Sequence, residues 1–195
     1  MVVIIEGAWA EALGKSTQIN ELVKEAQKRY IVPHILHYSN VKAFGKDKNL
    51  IRDFSVSEYD SIFKFMKEYA IPSKDLFIFD RCHLSEYVYS PMYREYDGYY
   101  VFASERQIIP AGDKVKLILF TDSAENVIER DKKRGDGLSF SLDLNKKQEE
   151  LDKFVEAFNE SSITDKKIIT VGKRSIGDIS KELISFVFDE ADSEN

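Results

Sequence analysis

The sequence predicts an α/β protein, a three-layer, doubly wound fold around a five-stranded parallel sheet. Five short apolar runs, rich in β-branched and aromatic residues and with little strict alternation, read as strands buried on both faces. Amphipathic stretches separate them, and strands alternating with helices imply right-handed crossovers in one sheet.

In chain order, "VVIIE" at 2–6 is the first strand. Segment 15–29 reads as a helix, because Ile19, Leu22, Val23 and Ala26 recur at spacings of three and four and so share a face. "PHILHYS" at 33–39 is the second strand, 56–70 a helix, and "LFIFD" at 76–80 the third strand. "VKLILFT" at 115–121 is the fourth strand and 124–134 the helix after it. Segment 145–160 aligns Leu151, Phe154, Val155 and Phe158 on one helical face, "KIITVG" at 167–172 is the fifth strand, and 176–189 closes the chain as a helix. No repeat or linker divides the sequence, so 1–195 is expected to be one domain, with disorder expected at most in the acidic tail 189–195.

The net charge of -6 argues against general binding to a nucleic-acid backbone and favours a small-molecule partner. The single Cys82 excludes an internal disulfide framework and a cysteine-rich metal site, which suits a reducing cytoplasm. The apolar start "MVVII" runs into Glu6 and is too short for a signal peptide or a membrane span, so no membrane partner is expected.

Ligands of doubly wound sheets bind beyond the carboxyl ends of the strands. Three polar groups fall there: the 7–17 loop, Asp80-Arg81, and Gly172-Lys173-Arg174. In the first, Gly14-Lys15-Ser16-Thr17 would open a helix, whose unpaired amides and dipole favour an anion. Gly14 would let the backbone curl close to a phosphate, Lys15 would reach the outer phosphates, and the Ser16 hydroxyl would take a place on Mg2+. The loop departs from the usual phosphate-binding pattern. Between Gly7 and Gly14 it holds six residues, "AWAEAL", two more than the pattern, and Glu11 adds a negative charge.

At the second, Asp80 would hold Mg2+ or its water, or accept a proton from an attacking group, and Arg81 would fork onto a phosphate. The tyrosines that follow are dense enough to offer a stacking surface, with Tyr89 and Tyr93 the two expected to touch a substrate. A third stretch, "ENVIERDKKRGDG", ends a helix in Arg130, Lys132, Lys133 and Arg134, and reads as a basic lid over about 130–143 that would close on transferring phosphate. His34, His37 and His83 have no metal-binding spacing and read as core or surface residues.

Taken together, "IIEG…GKSTQ", "FDRCHLSEYVYSPMYR", "ENVIERDKKRG" and "IITVGKR" resemble, in content and order, the thymidylate-kinase-like group of P-loop nucleoside and nucleoside-monophosphate kinases, particularly its viral and phage forms. The resemblance spans nearly the whole chain. It implies that Lys15 and Ser16 serve ATP and Mg2+, that Asp80 and Arg81 serve the acceptor, that Arg130 and Arg134 belong to the lid, and that Lys173 lies near adenine. It further implies a sugar contact for an acidic loop residue, for which Glu11 is the candidate, and a homodimer. Where such kinases show Arg-Glu-Pro after the second strand, this chain has "HYSNVKAF"; Lys42 could substitute as an acceptor-phosphate cation but offers no bidentate fork.

The implied activity is phosphoryl transfer from Mg-ATP to a deoxynucleoside monophosphate, dTMP first. The alternatives are a deoxynucleoside kinase, a kinase of a hydroxyl on a modified base in DNA (the one reading with a nucleic-acid partner), and a non-catalytic nucleotide-binding module.

Overall fold

The computed structural model describes residues 1–8, 13–37, 47–134 and 142–188. Five parallel strands, β1 (Val2–Gly7), β2 (Pro33–His37), β3 (Leu76–Asp80), β4 (Val115–Thr121) and β5 (Lys166–Thr170), lie in the order β2-β3-β1-β4-β5. The chain leaves central β1 toward one edge and returns across it from β3 to β4, so the switch of direction falls at the end of β1. All six β1 residues are buried and β4 is nearly so, whereas the edge strands β2 and β5 are half-covered. This gradient explains why the central strands read as unbroken apolar runs.

Helices cover both faces. On one, α1 (Lys15–Lys28) packs on α7 (Ile176–Phe188), and Gln18 of α1 donates to the Ile176 carbonyl at 3.2 Å while accepting from Ser180 at 2.8 Å. On the other lie α2 (Lys48–Phe65), α3 (His83–Tyr89), α4 (Tyr100–Glu105), α5 (Ala124–Arg134) and α6 (Leu144–Glu160). Phe63, Phe79, Phe120 and Phe154 are fully buried between the layers, and truncating any of them to Ala should cost about 3–5 kcal/mol.

Most expected elements are found within a residue or two. Helix α2, however, begins at Lys48 instead of 56, because Asp47 caps it by accepting from the Asn49 and Leu50 amides. The Met66–Ala70 end of that expected helix is a π-helical turn. The second strand ends at His37, and 38–46 falls outside the described residues. Residues 83–114, which carry no assignment from the sequence, form α3, a π-helical turn at Ser90–Arg94, α4 and a 3-10 turn at Ile109–Lys114.

Helix α1 stops by side-chain-independent chemistry. Ile31 N–H donates to the Ala26 carbonyl at 2.9 Å and Tyr30 N–H to Gln27 at 3.1 Å, the paired bonds of a Schellman ending, with Tyr30 at φ 58° where glycine is usual. That ending turns the chain directly into β2.

Candidate functional site

The site forms where β1, β2 and β3 end together. Register pairs Ile5 of β1 with Asp80 of β3, and His37 of β2 with the same Asp80. At the end of β1, Gly7 lies against β4 so closely that a Cβ there would meet the Phe120 carbonyl oxygen at 2.7 Å. Any larger residue would force the sheet open just below the loop. Gly14, at φ 69°, turns the chain left-handedly into α1, and no side chain among the described residues caps that helix. Its first amides therefore stay available to an anion, and Ser16 and Thr17 are exposed in the first turn.

Lys15 folds back onto the end of β1. Its Nζ donates to the Ala8 carbonyl at 3.1 Å and reaches Gly7 at 3.5 Å, and the side chain is buried. Burial, then the neighbouring Arg81 charge, push the ammonium down to about 8, while Asp80, Glu6 and Glu150 pull the other way. The expected Lys15, Asp80 and Arg81 are thus brought into one electrostatic neighbourhood. Arg81 is buried and takes a left-handed φ of 67°, its own amide donating to the Ile5 carbonyl at 2.9 Å. A non-glycine residue held in that conformation stores strain that the surrounding strand ends must impose.

Asp80 is finished on one side and open on the other. His37 Nδ1 lies 2.9 Å from Oδ2, whereas Oδ1 is buried with no hydrogen-bond partner among the described residues. Beside it, the Glu6 carboxylate caps α3 from within the sheet, accepting from the amides of Cys82 at 2.8 Å, Leu84 at 2.9 Å and Ser85 at 3.4 Å, and from the Ser85 hydroxyl at 2.6 Å. Burial nonetheless pushes the Glu6 carboxyl up, against the charge of His83 and these hydrogen bonds.

The remaining expected residues are distributed around this centre. Tyr89 is buried; its hydroxyl donates to Glu150 at 2.8 Å and its ring packs on Phe154 and Tyr93. Glu150 in turn accepts from Lys147 at 2.7 Å, both side chains fully buried. Tyr93 is half-buried behind Tyr89. Arg130 sits on the β4–β5 side, pairing with Asp122 at 2.7 Å and donating to the Gly172 carbonyl, so that it ties α5 to the loop bearing exposed Lys173. Glu11, Lys42, the 135–141 part of the expected lid and the side chain of Arg134 lie outside the described residues.

Glu6, His37, Glu150 and Lys147 are members of the site's surroundings that the sequence did not single out. Glu6 reads from sequence as the end of a strand, and Lys147 and Glu150 lie in a helix of which the sequence marked only the apolar face. His37 has meaning once the register with Asp80 is known. Among the described residues no three histidine, cysteine or acidic side chains gather as a metal centre. No helix among them is long and apolar enough to cross a membrane.

No protein-family model matches the sequence, and no curated protein matches it. Among solved structures, the YorR protein of Bacillus subtilis in complex with phosphorylated GDP is similar over 100% of each chain, with a TM-score of 0.68 and 19% identity. The likeness shows a shared α/β architecture around a five-stranded parallel sheet.

Proposed function

We propose that the chain transfers a phosphoryl group from Mg-ATP to a deoxynucleoside monophosphate, with dTMP the first acceptor to test. The observation that carries this reading is Lys15, a buried ammonium held on loop carbonyls at an uncapped helix start, beside Asp80 and Arg81. A lysine in that place exchanges its carbonyls for phosphate oxygens without a change of fold. The nucleotide complex of the structurally similar YorR supports a nucleotide ligand.

Mg2+ fits the residues present: the exposed Ser16 hydroxyl and the Asp80 Oδ1, which has no partner among the described residues, are hard oxygen ligands, directly or through water. When bound, Mg2+ would neutralise charge on the transferring phosphates. The chain's own share is positioning. The α1 amides and Lys15 would hold the donor phosphates, and the buried Arg81 would hold an acceptor phosphate by its fork. The basic run Lys132, Lys133 and Arg134 at the end of α5 would supply a closing lid.

Asp80 favours one second reading. A phosphate acceptor needs no strong base, whereas a hydroxyl acceptor does, and Oδ1 is an available acceptor of such a proton. That reading makes the protein a deoxynucleoside kinase or a kinase of a hydroxyl-bearing base in DNA.

The test is ADP release from Mg-ATP across deoxynucleosides, their monophosphates and hydroxymethyl-bearing DNA, with product masses recorded. A diphosphate product from dTMP supports the first reading. A monophosphate product, or phosphorylated DNA, moves the acceptor to the second. ATP binding without transfer to any of them overturns both in favour of a binding module.

A further inference from the structure

We propose that His37 is a positioning residue, fastening one oxygen of Asp80 so that the other is presented to the ligand. The inference rests on the phosphotransferase reading above and adds to it a residue on the edge strand. His37 and Asp80 are the last residues of β2 and β3 and face each other in register, with Nδ1 and Oδ2 2.9 Å apart. An ionised carboxylate is an acceptor alone, so the ring donates from Nδ1. A carboxylate turns freely about its last bond, and a single fixed hydrogen bond is enough to set its plane. With Oδ2 engaged, Oδ1 is left buried with no partner among the described residues, a costly arrangement in a structure unless a ligand completes it.

Burial does not require a histidine at this place. The His37 side chain is 47% exposed on an edge strand, so an apolar or amide residue would be accommodated. The same strand supplies a contrast. His34, at its other end, lies 2.9 Å from Asp75 through Nε2, but its ring stacks on Phe77 at 4.6 Å and the Asp75 side chain is 37% exposed, so that pair serves packing and strand-end chemistry in water. Asp80, at 16% exposure and within charge reach of Lys15, is the member of the two aspartates placed to touch phosphate, metal or an acceptor hydroxyl. Residues that orient a ligand-bearing group in this way are worth about 10- to 100-fold in activity.

Three variants test this: His37→Leu removes the donor, His37→Asn replaces Nδ1 by an amide donor at a similar reach, and His34→Leu is the control. The first readout needs no nucleotide. Nitrogen-15 NMR of the neutral His37 ring is expected to place its proton on Nδ1, and a proton on Nε2 overturns the proposal. The second is steady-state transfer. His37→Leu is expected to lower kcat by about 10- to 100-fold with the KM for ATP little changed, and His37→Asn to restore most of it, while His34→Leu keeps the wild-type rate. An undiminished His37→Leu enzyme, or equal losses in the Leu and Asn variants, overturns the positioning role alone. A wild type that transfers to no acceptor overturns the phosphotransferase reading, and the inference falls with it.

Discussion

Where the strands end, Lys15 spends its ammonium on the carbonyls of Gly7 and Ala8, and Asp80 keeps a buried oxygen without a partner among the described residues. On the flank of α3, by contrast, Glu105 is fully engaged. Its Oε2 accepts from Ser161 Oγ at 2.6 Å and lies 2.7 Å from His83 Nε2, and its Oε1 accepts from the Ser162 amide at 2.8 Å. Glu86, one turn along α3 from His83, is likewise enclosed by Ser90 at 2.7 Å, Tyr96 at 2.7 Å, Tyr100 at 2.8 Å and Arg94. Both regions bury charge, but the Glu105 and Glu86 carboxylates are engaged on both oxygens whereas Asp80 is engaged on one. The engaged carboxylates hold α3, α4 and the end of α6 together; the open oxygen of Asp80 marks where another molecule is expected.

The comparison can be broken most sharply at Lys15. Lys15→Met should reduce transfer on the order of 10³-fold. Its denaturation midpoint should hold or rise, because an ammonium no longer has to be kept out of water. A folded Lys15→Met enzyme with normal turnover would remove the phosphate-site assignment.

Glu105→Gln is the reciprocal change. It should cost about 3 kcal/mol in urea denaturation, since it takes the carboxylate partner from buried His83, while transfer per folded molecule is retained. Burial alone would raise the Glu105 carboxyl, but His83 and the Ser161 and Ser162 donors outweigh it and hold the group below the usual glutamate value. A depressed carboxyl contributes stability that is present above its unfolded value and lost as pH falls through its folded one. Wild-type stability should therefore decline below about pH 4.5, and part of that decline should vanish in Glu105→Gln. An unchanged acid limb in the variant would show that the network does not carry this dependence.

Tyr100→Phe is the smallest of the three, removing one of several donors to Glu86 at about 1 kcal/mol. Should transfer fall further than stability does, the Glu86 cluster belongs with the acceptor pocket, and the division between the two regions would have to be redrawn.

The strands were legible because the central ones are buried on both sides, which leaves apolar runs that no helix period explains. Their spatial order was not, since β2 and β4 carry similar residue types and the path between them is set by tertiary packing. Helix α3 escaped notice for a related reason: His83, Ser85 and Glu86 are buried within it, so polar residues occupy the face that an amphipathic pattern would assign to apolar ones. Lys15, Asp80 and Arg81 were legible as neighbours because all three fall beyond or at the carboxyl ends of the central strands, where such sheets bring polar groups together. Glu150 and Lys147 were not, because charged residues three apart on a helix ordinarily face water, and here they face each other in the interior.

The cap that Glu6 places on α3 has a consequence for how an anion finds its place. Two helix mouths open side by side at the strand ends, those of α1 and α3. The α3 mouth carries a resident anion, supplied one residue before the glycine that ends β1, and its amides are already satisfied. A phosphate bound as proposed would therefore meet one mouth whose amides are taken and a neighbour whose amides carry no side-chain cap among the described residues. On the proposed function, choice between two adjacent binding positions would thus be made by a side chain that need never touch the ligand, acting as a permanent competitor at the wrong one.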